Sequence, residues 1–202
     1  MRLSMWWLLW LYSKLGKKMY VIKQQSVKLA DEFSDTDRII DLGGGGEGII
    51  GQLRGKQVTA VDLRKEELDE APDGPIKVVA DARALPFSDN SFDAVTAFYF
   101  LMYVPVADHS TVMREAYRVL RTGGSMYIWD AVIPEIGERK QKLFVIPVKA
   151  ILPAKTVYTA YGVQWKGRTM NSGSIATAAR EAGFHIQESH DNKGSFILKL
   201  KK

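Results

Sequence analysis

The chain has 202 residues, a formal net charge of +5 and no cysteine. Its length is sufficient for one domain with a substantial core, and its 46% hydrophobic residues are typical of a globular protein. The lack of cysteine excludes disulfides, thiolate nucleophiles and cysteine-ligated zinc, and it is compatible with a cytoplasmic location. Its three histidines are too scattered to indicate a metal site (His109, His185 and His190).

The positive charge is concentrated at the start of the chain. Residues 1–28 contain six basic and no acidic side chains, whereas residues 29–202 contain 22 basic and 23 acidic ones, so we expect no nucleic-acid partner. The apolar run from Met5 to Tyr12 is too short to span a bilayer. We expect residues 1–36 to form an apolar and basic helical arm. It could be a lid on the domain, a peripheral membrane contact through residues 1–28, or a disordered or self-associating tail.

After the arm, short apolar segments alternate with helical ones. The strand candidates are rich in Val, Ile and aromatic residues, and the central ones are apolar on both faces, as in a covered parallel sheet (38–43, 57–63, 76–82, 92–100 and 125–133). The helices between them have recognisable ends, namely Pro72, Gly123 and Gly183. This order predicts a doubly wound, Rossmann-like α/β fold.

The last part of the chain departs from this alternation. Residues 184–202 predict two antiparallel strands with a turn near Asn192–Gly194, which complete a mostly parallel, seven-stranded sheet with a C-terminal hairpin. Residues 37–202 would then be the main domain. An insertion at about 135–169 alternates large and small residues, which indicates one or two added strands that form a cap or a homodimer surface.

The stretch "DLGGGGEG" (41–48) follows the first strand of this sheet. In open α/β sheets, ligands bind outside the carboxyl ends of the strands, where the strand order reverses. The glycines allow a sharp turn, and a helix that begins near Glu47 would direct its free N–H groups at a ligand. The alternative is a tight turn with no ligand.

Three carboxylates stand at the ends of successive strands. Asp62 can accept hydrogen bonds from both hydroxyls of a ribose, or it can cap the helix that follows. Asp81 can accept a hydrogen bond from an adenine amino group. Asp41 would repel a pyrophosphate, and the glycine loop carries no Arg or Lys to compensate. These residues therefore predict a nucleoside with a cationic, amine-bearing tail.

Residues 38–130 resemble class I S-adenosylmethionine-dependent methyltransferases of the small-molecule, UbiE-like (type 11) group. The resemblance depends on "IIDLGGGGEG", "VDLRKEEL", "DARALPFSDNSFDAV" and "EAYRVLRTGG", which occur in the order of that family's motifs. One position departs from the usual D-x-G-x-G-x-G pattern. The third glycine is replaced by Glu47, and a glycine follows at Gly48.

The resemblance implies S-adenosylmethionine as the cofactor and a role for each matching residue. Its methionine part would be held by Asp41 and by the backbone of three loop residues (Gly43, Gly44 and Gly45). Phe98 would lie near the methionine end and could face the sulfonium.

The adenosine part would lie over the next two strand ends. Asp62 would bind the ribose, with Leu63 beside the adenine. Asp81 and Ala82 would bind the amino edge of the adenine.

The expected reaction is in-line methyl transfer to a small acceptor. Alignment of donor and acceptor supplies most of the catalysis, and a base is needed only if the acceptor must lose a proton. We assign no catalytic residue among the candidates near the strand ends (Tyr99, Tyr103, His109 and Asp130), and His109 is better explained as a helix-start residue. The apolar arm and insertion favour a hydrophobic acceptor. A non-catalytic S-adenosylmethionine-binding protein and a nicotinamide-dependent oxidoreductase are the alternatives.

Overall fold

The computed structural model describes residues 18–29 and 33–202. The described strands are β1 (Met19–Val21), β2 (Gln25–Lys28), β3 (Ile39–Leu42), β4 (Val58–Asp62), β5 (Ile76–Val79), β6 (Phe92–Phe98), β7 (Leu120–Ala131), β8 (Leu143–Ile151), β9 (Thr156–Gln164), β10 (His185–Asp191) and β11 (Ser195–Lys201). The described α-helices are α1 (Ile49–Arg54), α2 (Lys65–Glu70), α3 (His109–Val119) and α4 (Ser172–Ala182). None of the helices in these described parts is long and apolar enough to cross a membrane.

The larger sheet has seven strands in the spatial order β10-β11-β7-β6-β3-β4-β5. Strands β3 to β7 pair in parallel, and the β10–β11 hairpin adds antiparallel strands beside β7. All four residues of β3 are buried, which agrees with a strand covered on both faces. The predicted α/β fold, with its parallel sheet and C-terminal hairpin, is therefore confirmed. Strands β3 and β6 are parallel neighbours, so their carboxyl ends lie side by side, and the strand order reverses between them, which is where such sheets leave a crevice for a ligand.

The predicted helix ends are right in two places and wrong in one. Helix α2 ends before Pro72, and α4 begins at an Asn171 capping box and ends at Gly183, whose φ is 108°. Helix α3 ends at Val119 rather than at Gly123. The cause is β7, which begins at Leu120 and pairs from that residue with β6.

A second sheet of four strands contains the insertion. Its longest pair is β8 with β9, which is antiparallel, while β1 and β2 pair in parallel with β8 along its other edge. The arm was expected to be helical, but residues 19–21 and 25–28 are strands. They are held there because Val27 and Leu29 are buried and Tyr20 packs against Trp165, with 4.8 Å between ring centroids. Residues 1–17 and 30–32 lie outside the described residues, so a lid or membrane role for the arm stays a prediction.

Candidate active site

A cavity of about 740 Å³ lies at the carboxyl ends of β3, β4 and β6, with β8 and β9 of the second sheet on its far side. Pockets of this size hold cofactors and drug-sized ligands. Eight of the nine residues that the sequence indicated for cofactor binding line it (Asp41, Gly43, Gly45, Asp62, Leu63, Asp81, Ala82 and Phe98). Further lining residues that were not assigned to a site include Glu47, Phe100, Tyr103 and Tyr161.

The first half of the glycine loop is held against the neighbouring strand. The N–H groups of Gly43 and Gly44 both donate to the carbonyl oxygen of Val61, at 2.8 and 3.0 Å. Gly43 has a φ of 73°, and a Cβ there would lie 2.4 Å from a carbon of the Phe100 ring. Gly44 does not line the cavity, so its place in the predicted site differs from expectation. Any backbone contact of these two residues with a ligand would use a carbonyl oxygen.

Gly44 and Gly45 allow the loop to lie directly on two carboxylates. A Cβ on Gly44 would be 2.9 Å from Oδ2 of Asp41. A Cβ on Gly45 would be 2.9 Å from Oδ2 of Asp62 and 2.6 Å from Cβ of Glu67. Real Cβ atoms do not approach other atoms so closely, so these positions need glycine.

The departure from the family motif at Glu47 has a structural explanation. Gly48 adopts the left-handed conformation, with a φ of 53°, and α1 begins at Ile49 rather than at Glu47. The Glu47 side chain instead reaches the second sheet, where its Oε1 accepts a hydrogen bond of 2.6 Å from the Thr159 hydroxyl. This bond joins the glycine loop to β9.

Asp41 is a buried carboxyl group at the base of the cavity. It is 3% exposed, and the Thr96 hydroxyl donates a 2.7 Å hydrogen bond to it. Burial raises the pKa of Asp41 to about 7; the Thr96 hydrogen bond opposes this shift, and the charge of Asp62 adds to it. Such a group favours a positively charged ligand, because a nearby cation stabilises the ionised form.

Asp62 and Leu63 lie at the end of β4. Oδ1 of Asp62 accepts a hydrogen bond of 2.9 Å from the N–H of Arg64. Helix α2 has no side-chain cap, so this bond closes a turn and does not cap the helix. Leu63 is 63% exposed beside the cavity, where an apolar side chain could cover a flat ligand.

Asp81 lies two residues beyond the end of β5 and already has a cationic partner. The Arg83 guanidinium contacts both of its carboxylate oxygens, at 2.7 to 3.0 Å, and the Arg83 N–H donates to Oδ1. These hydrogen bonds hold the pKa of Asp81 below its usual value. Arg83 also forms an ion pair with Asp108 at 2.8 Å. A ligand amino group would therefore share Asp81 with Arg83, while Ala82 is buried beside them.

The other side of the cavity is aromatic. Tyr99 and Tyr161 stack with 5.0 Å between their ring centroids and 6° between their planes, and Phe98 lies 6.3 Å from Tyr161. The Tyr103 hydroxyl accepts a hydrogen bond of 3.2 Å from the N–H of Gly162 in β9. Burial raises the pKa of all three tyrosines, so they stay neutral near pH 7.

Two of the candidate catalytic residues have structural roles outside the cavity lining. Asp130 is fully buried and accepts hydrogen bonds from the N–H groups of Leu101 and Ala131, at 2.7 and 2.8 Å. Burial raises its pKa to about 7, and these bonds oppose the shift. His109 is the first residue of α3, and its Nε2 lies 3.1 Å from the Leu101 carbonyl oxygen. Within residues 18–29 and 33–202, no cluster of His, Asp and Glu could hold a metal ion.

Known proteins resemble this chain over the same region. Residues 40–128 match the family model described as a methyltransferase domain. The chain is 35% identical over 127 residues to a ubiquinone/menaquinone biosynthesis C-methyltransferase of Desulfotalea psychrophila. The aligned region covers 60% of this chain and 46% of that relative. The chain is also 35% identical over 135 residues to a demethylmenaquinone methyltransferase of Listeria monocytogenes, and that alignment covers 64% of this chain and 52% of the relative. The chain thus spans about half the length of these curated relatives.

Solved structures resemble a larger part of the chain. An S-adenosylmethionine-dependent methyltransferase of Methanosarcina mazei superposes with a TM-score of 0.61 and 17% identity, over 87% of this chain and 99% of that one. An S-adenosylmethionine-dependent methyltransferase of Mesorhizobium loti superposes with a TM-score of 0.58 and 19% identity, over 82% of this chain and 91% of that one. At these identities the likeness shows the fold. Residues 40–128 thus match a methyltransferase domain model, and the chain has the fold of these solved structures.

Proposed function

We propose that the protein transfers a methyl group from S-adenosylmethionine to a small, apolar or aromatic acceptor that binds between β6 and the second sheet. The observation that carries this proposal is a single cavity with carboxylates on one side and aromatic rings on the other. S-adenosylmethionine, when bound, supplies a methyl group on a positively charged sulfur. The buried carboxyl of Asp41 fits the cationic end of such a molecule, since among the described residues no Lys or Arg is paired with it.

The residues of the cavity suggest how the cofactor lies. Asp41 would bind the cationic methionine end, and Asp62 the ribose hydroxyls. Asp81 and Ala82 would bind the adenine edge, with Leu63 over its face. This order places the reacting end of the cofactor towards the aromatic side of the cavity.

The aromatic side would bind and align the acceptor. Phe98, Tyr99 and Tyr161 line this end of the cavity, and aromatic surroundings favour flat apolar molecules. Holding two reactants in line can contribute up to about 7–11 kcal/mol to catalysis. The neutral tyrosines make poor bases, and Asp130 and His109 are not on the cavity wall, so the contribution that we assign to the aromatic residues is alignment of the acceptor.

The relatives' names support a small organic acceptor without identifying it. Two of them are named for methylation in quinone biosynthesis, one explicitly at carbon. A third, 34% identical over 109 residues, is named as a 27-O-demethylrifamycin SV methyltransferase of Amycolatopsis mediterranei. The acceptor atoms in these names differ, so the shared feature that we transfer is a small organic acceptor.

Calorimetry and a turnover assay test the proposal. The protein should bind S-adenosylmethionine and S-adenosylhomocysteine and show no heat with nicotinamide dinucleotides. Methyl-labelled cofactor incubated with a panel of neutral aromatic acceptors should give labelled product and S-adenosylhomocysteine. Tighter binding of a nicotinamide dinucleotide would refute the proposal, and cofactor binding without turnover on any acceptor would favour a non-catalytic binding protein.

A further inference from the structure

Glu47 is the one residue of the stretch 43–48 that has a side chain, and that side chain joins the glycine loop to the second sheet. Its Oε1 is held at 2.6 Å by the hydroxyl of Thr159, which lies on β9 of the second sheet. Two residues further along β9, Tyr161 contributes to the aromatic wall. The Glu47 carboxylate therefore lies next to the aromatic end of the cavity, which we assign to the acceptor.

The influence of Glu47 extends over the aromatic wall. The charge of Glu47 is among the causes that raise the pKa of Tyr103 and of Tyr161. This effect requires the carboxylate to be within electrostatic reach of both hydroxyl groups. A ligand that fills the space between these rings would experience the same negative charge.

The basic residues of the cavity cannot offset that charge. Among the described lining residues, Arg64 and Arg83 are the only basic ones. Arg64 forms an ion pair with Glu67 at 2.5 Å, and Arg83 is paired with Asp81 and Asp108. Both follow β4 or β5, at the end of the cavity that we assign to adenosine. Among the described lining residues, the aromatic end thus combines aromatic rings with the Glu47 carboxylate and contains no basic side chain.

We propose that Glu47 selects the acceptor by charge: it excludes acceptors that carry a carboxylate, sulfate or phosphate near the ring, and it favours neutral or amine-bearing aromatic ones. This inference rests on the proposed function, because it assigns the aromatic end to the acceptor. Thr159 is the positioning residue that holds the Glu47 carboxylate towards that end.

A matched ligand series tests this selection. The probes are 2-naphthol, the same ring with a carboxylate at position 6, and the same ring with an aminomethyl group there. Dissociation constants are measured by equilibrium dialysis, with and without S-adenosylhomocysteine. We expect the carboxylate probe to bind at least about tenfold more weakly than 2-naphthol, since one unit charge at short range in a partly buried site changes affinity by about that factor.

Three variants separate Glu47 from general effects. Glu47→Gln should reduce the discrimination against the carboxylate probe by about tenfold, and Thr159→Val should reduce it by a smaller factor. Glu66→Gln removes the same charge from the exposed face of α2, away from the cavity lining, and should leave the ratio unchanged. Thermal unfolding of each variant confirms that the fold is intact.

The inference is overturned if the wild-type protein binds the carboxylate probe as well as 2-naphthol, if Glu47→Gln leaves the ratio unchanged, or if none of the probes binds. Failure of the proposed function is a separate result. It would appear as absence of S-adenosylhomocysteine binding, and the ratios measured without that ligand would still decide whether Glu47 selects by charge.

Discussion

Cofactor affinity should depend on pH through Asp41. In the free protein, burial raises the pKa of this carboxyl from 3.8 to about 7, although Thr96 donates a hydrogen bond to it. A cationic ligand binds the ionised form more tightly and so lowers the pKa of Asp41. Binding near neutral pH must therefore release a proton, and affinity must rise as pH increases through 7.

The size of the effect follows from the ionised fraction. With a pKa of about 7, Asp41 is about nine-tenths ionised at pH 8 and about one-tenth ionised at pH 6. If the ligand binds only the ionised form, its apparent affinity is reduced by that fraction. The expected loss between pH 8 and pH 6 is therefore about tenfold, or ~1.4 kcal/mol.

Titration calorimetry with S-adenosylmethionine from pH 6 to pH 8 measures this change, and two buffers with different ionisation enthalpies count the released protons. Asp41→Asn is the matched variant, because it keeps a hydrogen-bond acceptor for Thr96 but cannot ionise. It should bind the cofactor more weakly at pH 8 and show a flatter profile. A wild-type affinity that does not change with pH would refute the reasoning. An equal pH dependence in Asp41→Asn would also refute it, since the ligand's own amino group or Asp62 would then be the titrating group.

Three further substitutions test the site and its support. Asp62→Ala should weaken S-adenosylhomocysteine binding by about 10- to 100-fold in calorimetry, because a charge-assisted hydrogen bond of about 1.5–3 kcal/mol is lost. Unchanged affinity would show that the ribose lies elsewhere. Gly43→Ala should lower the free energy of unfolding in urea by more than Gly167→Ala does. The two positions have similar φ values, 73° and 74°, but only at Gly43 would a Cβ contact an aromatic ring. Equal losses of stability would show that this contact does not matter. Asp130→Ala should destabilise the fold by about 2–3 kcal/mol, because two buried backbone N–H groups lose their acceptor, and a loss under about 0.5 kcal/mol would mean that water replaces it.

The main sheet could be predicted from the sequence because each of its parallel strands contains a short run rich in apolar residues. The four residues of β3 are all buried, and the apolar stripe of α3 is buried too, so local pattern and tertiary packing agree there. The error at the end of α3 has a definite cause. Gly123 is a good helix terminator, but Leu120 pairs with β6, and Gly123 and Gly124 form backbone hydrogen bonds with Lys202 just after β11, so residues 120–124 are part of a strand.

The second sheet could not be derived in the same way. Strands β1 and β2 are short, and their pairing partner, β8, lies more than 100 residues later in the chain. An apolar and basic segment such as residues 19–28 fits a helix or a strand equally well when only local periodicity is considered. The pairing with β8 decides the outcome, and no local pattern records it.

In the candidate site, the positions of the carboxylates could be predicted from the sequence, but their hydrogen-bond partners could not. Strand ends place Asp41, Asp62 and Asp81 around one cavity, as their spacing predicted. Their hydrogen-bond partners were not predictable, because the Arg83 fork on Asp81 depends on side-chain conformation. The Val61 carbonyl likewise accepts hydrogen bonds from the N–H groups of Gly43 and Gly44, two of the three loop residues whose backbone was expected to hold the ligand.

The replacement of a glycine by Glu47 is compatible with the loop because of how backbone conformations alternate along it. Gly46 and Gly48 have φ values of 60° and 53°, whereas Glu47 is not among the residues with a positive φ. A side chain at 46 or 48 would be strained, and one at 47 is not. Position 47 is thus the place in this turn where a functional group can be added without loss of the turn. A carboxylate stands there and accepts a hydrogen bond from Thr159, so the glycine loop and the second sheet meet at one side chain.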